Sequence, residues 1–233
     1  MCCLDVILRL LDVTMLNYLF LLSLLSYSIF AETLFIQFSD VHHSLDQVEN
    51  ALKTIHHQIE QFQKKYPKGK IIWIANGDIA GVSRWSDFDL GYSIYPILLE
   101  IANPNHLILT LGNHDASDFL QPKLLETQLQ QIKIDAAKIY TNPSIGKNFA
   151  VLAANVSFHP NFKNTGLIKP YQDIELSPNR RIRITGLLLD LLFENTNDTC
   201  FHPVITSVSP MLEEMKRQVL LASKDGIHEL YFA

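Results

Sequence analysis

Cysteine is scarce: three in 233 residues cannot build a disulfide framework, and with Cys2 and Cys3 in an apolar leader only Cys200 remains. A stapled scaffold and a cysteine-rich zinc site are both excluded. Positive charge is not in excess either. Nineteen Lys and Arg stand against 24 Asp and Glu, a net charge of −5 with His neutral, so no basic nucleic-acid-binding tail is present. The chain is 18% charged and 48% hydrophobic, which excludes a disordered polyelectrolyte and fits an ordinary globular protein. It has no internal repeat, low-complexity tract or linker, and at roughly 100–200 residues per domain one domain is the default.

Charge is also missing from residues 13–31, where Leu, Phe, Tyr and Ile dominate until the sequence turns polar at Glu32. Residues 1–31 are therefore read as a signal peptide or N-terminal hydrophobic segment, with residues 32–233 as the working domain. From Met1 the only basic residue ahead of the apolar core is Arg9, between Asp5 and Asp12, and Met15 is taken as the true start. Cleavage after Ala31 is expected to release an exported protein, periplasmic or extracellular. An uncleaved segment of this length could instead anchor it in a membrane. Asn155-Val156-Ser157 and Asn197-Asp198-Thr199 match the glycosylation pattern, which is frequent by chance and carries no argument here.

Beyond residue 33, short apolar runs alternate with longer amphipathic ones, the pattern of strands joined by crossover helices. A strand is expected at 34–39, and a helix at 45–65, where Val48, Leu52, Ile55, Ile59 and Phe62 recur at three- and four-residue steps until Pro67. A buried strand at 71–75, a helix at 92–102 and a strand at 106–110 complete a βαβαβ unit. Then come a helix at 120–137, a strand at 151–154, a strand pair at 168–176 and 182–186 turning at Pro178-Asn179, and a helix at 210–223.

Each of the first three strands ends in polar residues that a core would exclude: Asp40-Val41-His42-His43, Asn76-Gly77-Asp78 and Gly112-Asn113-His114-Asp115. In an open α/β sheet the carboxyl ends of the strands line the ligand crevice, so these groups should meet at one rim. Extended backbone through Val41 would point Asp40 and His42 to the same side. Gly77 and Gly112 allow sharp turns and a close approach of backbone to ligand. Carboxylate, imidazole and carboxamide together suit divalent ions of intermediate hardness. Each motif alone is weak, since Gly-Asp is usually a turn and Gly-Asn-His-Asp can be a strand-to-helix turn with Asp115 as N-cap. Their order and their common place at strand ends carry the argument.

In these motifs the sequence resembles the calcineurin-like metallophosphoesterases, whose signature is Asp-x-His, Gly-Asp and Gly-Asn-His-Asp/Glu. Residues 152–156, Ile168-Lys169-Pro170-Tyr171 with Ile174 and Glu175, and residues 182–186 make it most similar to the 5-prime-nucleotidase branch. The resemblance implies a four-layer α/β/β/α sandwich, incomplete at its C-terminus. It also implies two divalent metal ions (Mn, Zn, Fe, Mg or Co), with Asp40 and His42 on the first, Asp78 bridging both and Asn113 on the second. By the same carry-over His114 stabilises the transition state or protonates the leaving oxygen, and Asp115 orients its ring. The implied substrate is a small phosphorylated molecule, a nucleotide above all. Paired ions can bind a phosphate oxygen and activate a water, and a carboxylate-held imidazole suits an alkoxide leaving group.

The remaining candidates are weaker. His43 could touch substrate or simply be exposed, and His56 and His57 sit on the first helix facing solvent. His106 opens the third strand in a structural role. Arg84 and Trp85 could meet a phosphate or base, or merely begin the next helix, and Lys169 could contact phosphate. The resemblance also implies two further histidines, one of them in Gly-His-x-His, and that motif does not occur here. His159, His202 and His228 lack the glycine context, and residues 227–231 correspond to the strand before the first missing histidine. The base-stacking C-terminal domain of the nucleotidase branch has no counterpart. The expectation is an incomplete domain with a poorly held second metal.

Overall fold

The computed structural model describes residues 26–30, 32–39, 45–79, 94–112, 130–132, 134–135, 138, 148–158, 160, 162, 166, 168–188 and 205–233. Its frame is the expected βαβαβ unit: strand β2 (Thr33–Phe38), helix α1 (Leu45–Lys65), β3 (Lys70–Asn76), α2 (Ile94–Ala102) and β4 (His106–Thr110). Strand β3 is apolar from Ile71 to Ala75 because both of its faces are covered, as in any strand central to a parallel sheet. Trp73 and Ala75 point to the helices with Ile55 and Phe62 of α1 and Leu98, Leu99 and Ala102 of α2. Ile72 and Ile74 point the other way, into a second core with Phe35, Ile108 and Leu152.

The main sheet is six-stranded among the described residues, in the order β1-β2-β3-β4-β5-β7, with β5 at Phe149–Leu152 and β7 at Ile168–Lys169. All its pairings from β2 to β7 are parallel. Its outer strand β1 (Ser26–Phe30) comes from the apolar N-terminal segment and pairs antiparallel with β2, Phe30 facing Thr33. Cleavage after Ala31 would remove this strand and leave β2 as the edge. Among the described residues no helix is long and apolar enough to cross a membrane.

The stretch expected as one strand over 168–176 is two. Pro170 has no N–H to continue a ladder, and the chain changes sheets there: Ile168 and Lys169 pair with β5, whereas β8 (Tyr171–Ser177) pairs antiparallel with β9 (Arg180–Thr185). Strand β11 (Glu229–Phe232) adds to β9 in parallel, completing a second sheet in the order β11-β9-β8. Ile174, Ile182 and Ile184 of this sheet fill the core against the main sheet. The ring of Tyr231 stacks on Phe35 with centroids 5.6 Å apart and planes 5° apart, and its hydroxyl donates to the Gln37 side chain. Burial pushes the Tyr231 hydroxyl pKa up.

Arg183 alternates with Ile182 and Ile184 and so faces away from the main sheet, yet it is only 1% exposed. Its guanidinium donates to both carboxylate oxygens of Asp173, at 2.7 and 2.8 Å, and to Asp225 at 2.8 Å, and lies 3.7 Å over the Tyr171 ring. Hydrogen bonding to Asp173 is the main cause that holds its pKa above the ordinary range. Asp225 caps helix α3 (Met211–Lys224), so this cation fastens the fourth layer to the second sheet. The four-layer α/β sandwich is thereby complete: helices, main sheet, second sheet, helix.

Beside the short antiparallel pair of β6 (Val156–Phe158) and β10 (Ile205–Val208) sits Asn155, 2% exposed. Its Nδ2 donates to the carbonyls of Leu188 (2.7 Å) and Ser209 (3.1 Å), and its Oδ1 accepts from Leu188 N–H (2.9 Å). Asn155 is thus a buried clasp whose amide is engaged and out of reach of glycosylation in the folded protein. Asn155→Ala orphans three backbone groups and should lower stability by about 2–3 kcal/mol, as read by urea denaturation.

Arg180 and Glu229 form a partly exposed bidentate pair, 2.7 Å at its Nη2–Oε2 contact, which holds the Glu229 pKa below its ordinary 4.5. A depressed folded-state pKa means that the stabilisation is present above 4.5 and is lost as the pH falls through the folded value. With both groups partly solvated it amounts to no more than about 1 kcal/mol. Relative to wild type, Glu229→Gln should be slightly less stable at neutral pH, and the gap should close in acid in denaturation curves taken across pH.

Candidate active site at the C-terminal edge of the main sheet

Strands β2, β3 and β4 are neighbours and run in parallel, with Phe38 opposite Ala75 and Asn76 opposite Thr110. Their three carboxyl ends therefore lie side by side at one edge, where Ser39, Gly77-Asp78 and Gly112 leave the sheet. The polar motifs begin at or just after these positions. Of the expected site residues, Asp78 is at this edge. Asp40, His42, Asn113, His114 and Asp115 lie outside the described residues, as do His43, Arg84 and Trp85.

Gly77 and Asp78 both adopt left-handed backbone, with φ of 68° and 51°. Glycine takes that conformation without cost and aspartate is among the few other residues that tolerate it. The two glycines serve a purpose beyond the expected approach to a ligand: they let the two strand-end turns touch. A Cβ on Gly77 would stand 2.5 Å from Gly112 Cα, and one on Gly112 would stand 2.7 Å from Asp78 Cγ and collide with its Oδ1 and backbone nitrogen. The Asp78 carboxylate is thus seated over the bare Cα of Gly112. Immediately before this turn, Asn76 Oδ1 is buried and accepts no hydrogen bond.

A carboxylate fixed by backbone at a sheet edge, two residues after an unpartnered amide oxygen, is the hard-oxygen chemistry that a divalent cation takes. The described residues therefore fit part of a metal site. Among them no group of three or more His, Cys, Asp or Glu is assembled. The sequence motifs place Asn76 among the strand-end groups without a ligand role, and its two-residue spacing from Ile72 and Ile74 is the signal that it faces the inter-sheet space.

The other candidates stand apart from Asp78. His106 pairs with Ile72 at the start of β4, at the opposite edge of the sheet, in keeping with a structural role. His56 and His57 are exposed on α1, His56 lying 3.6 Å from Glu60 and His57 2.8 Å from Gln61. Lys169 ends β7 level with Leu152, Thr110 and Asn76 at the same carboxyl edge, two strands away from β3, and donates to Gln172 Oε1 at 3.3 Å.

Comparison with known proteins gives the family and the fold. Residues 33–215 match the calcineurin-like phosphoesterase family, and the chain belongs to it. It is similar in structure to the calcineurin-like phosphoesterase YfkN from Bacillus subtilis, with 15% identity and a TM-score of 0.51 over 85% of this chain and 60% of that one. It is also similar to the sulfate thiohydrolase SoxB from Thermus thermophilus, with 12% identity and a TM-score of 0.52 over 78% of this chain and 28% of that one. At these identities the likeness establishes the fold, and the chain spans less than two thirds of the length of either protein. No curated protein matches it.

Gly112→Ala should force the Asp78 turn off the sheet edge, since neither backbone can yield without breaking the β3–β4 pairing. A loss of about 1–3 kcal/mol is expected, the scale of overpacking, together with weaker divalent-metal binding in calorimetry.

Proposed function

We propose that this chain is a metal-dependent phosphoesterase that hydrolyses phosphate monoesters, nucleotides above all, outside the cytoplasm. The observation that carries the reading is the seating of the Asp78 carboxylate against Gly112, at the edge where the Asp40-x-His42 and Asn113-His114-Asp115 motifs follow β2 and β4. Family membership supports metal-dependent phosphoester hydrolysis as the reaction class.

In this reading Asp40, His42, Asp78 and Asn113 hold two divalent ions. When bound, such ions supply Lewis acidity toward a phosphate oxygen and a water made nucleophilic at neutral pH. His114 gives a proton to the ester oxygen as its bond to phosphorus breaks, so the products are an alcohol and inorganic phosphate. Asp115 accepts from the far nitrogen of that imidazole and fixes which nitrogen carries the transferable proton. The apolar segment 13–31 supports export.

A second reading is a fold that keeps metal and ligand binding without turnover. Phosphate release from a nucleoside monophosphate and from an aryl phosphate, with and without Mn2+, separates the two. The first reading expects Mn2+-dependent release that falls about a hundredfold or more in Asp78→Asn, beyond the 10–100-fold typical of outer-shell changes, and that also falls in His114→Ala. Asn tolerates left-handed backbone as Asp does, so Asp78→Asn removes charge and leaves the turn intact. Mn2+ binding without release would support the second reading.

A further inference from the structure

Asn76 is the last residue of β3, one position before the left-handed pair Gly77-Asp78. Following Ile72 and Ile74, both fully buried in the inter-sheet core, it is the next residue on that face, where the core gives way to the candidate site. Its Oδ1 is sealed from solvent and accepts nothing. An apolar residue would serve the core better, because a buried amide oxygen left unmatched loses its hydrogen bonds to water without replacement, and native structures keep few such atoms.

The other unpartnered buried side-chain atoms among the described residues belong to Trp73, Arg183, Thr185 and Gln218. None of these adjoins the Gly77-Asp78 turn. An amide oxygen has two acceptor lone pairs and no charge, which suits it to a hard divalent cation already held by a carboxylate. We infer that Asn76 Oδ1 is a further oxygen of the divalent-cation site at the Gly77-Asp78 turn, positioning the cation against the inter-sheet core. This inference rests on the metal reading of that edge, and it adds a residue that the sequence motifs leave out.

Two variants of the full chain test it, with Mn2+ binding followed by calorimetry and the melting temperature recorded with and without Mn2+. Asn76→Leu keeps the shape and removes the oxygen. It should melt in the absence of metal at or above the wild-type temperature, because the orphaned acceptor is gone, and should bind Mn2+ roughly 10-fold more weakly or worse. Asn76→Asp keeps the oxygen and adds charge. It should melt lower without metal and bind Mn2+ at least as tightly as wild type. Unchanged Mn2+ affinity in Asn76→Leu overturns the inference while leaving the metal site standing. Weakened binding in Asn76→Asp overturns it as well, and covers the case in which Asn76→Leu does not fold. Wild-type protein that binds no Mn2+ overturns both this inference and the metal reading beneath it.

Discussion

The contact between the turns that follow β3 and β4 sets the geometry of the functional edge. Parallel pairing brings Asn76 opposite Thr110, and the next residues on each strand must then leave the sheet within a few ångströms of each other. Only residues without side chains can do so at this spacing, and Gly77 and Gly112 occupy the two positions. With the turns touching, Asp78 is forced into left-handed backbone with its carboxylate against Gly112. Here the chain accepts local strain at a functional position, held by the rigid pairing beneath it.

That pairing is in turn secured by what lies under it. Ile72, Ile74 and Ile108 are fully buried between the two sheets, and each large aliphatic side chain so buried contributes about 1.5–3 kcal/mol. The second sheet is fixed laterally by the Tyr231 ring on Phe35 and on its outer side by Arg183. A buried guanidinium is weak evidence of net stability, but Arg183 has Asp173, Asp225 and Tyr171 arranged around it and so specifies one docking position for α3. Asn155 does the same for the segments after β9 and β10. Polar clasps fix the outer layers, and the apolar core holds up the edge that bears Asp78.

Much of this was legible in the sequence because period and punctuation agreed. Helix α1 has the expected bounds of 45–65, and β4 those of 106–110. The site motifs were found because polar residues at the ends of apolar strands contradict burial, and Asp78 lies where that contradiction located it. The 168–176 stretch was misjudged because a continuous run of extended residues conceals which sheet each half joins. Only the pairing partners reveal that Pro170 ends one ladder before another begins. The glycine–glycine contact was out of reach, since it depends on the β3–β4 register. Asn155 read as a chance glycosylation pattern because its three partners lie 33 and 54 residues away. Asn76 was hidden by its neighbours, Gly77 and Asp78, which carry the recognisable motif.

The central claim is that the carboxyl ends of β2, β3 and β4 form one cation site organised by the seating of Asp78. Anomalous diffraction at the manganese edge from crystals grown with Mn2+ tests it most directly. The account predicts an anomalous peak within about 2–2.5 Å of an Asp78 carboxylate oxygen, the range of metal–oxygen bonds for hard divalent ions, bordered by the segments that follow Ser39 and Gly112. Manganese bound elsewhere on the protein, or no peak at Asp78 at saturating Mn2+, would contradict it.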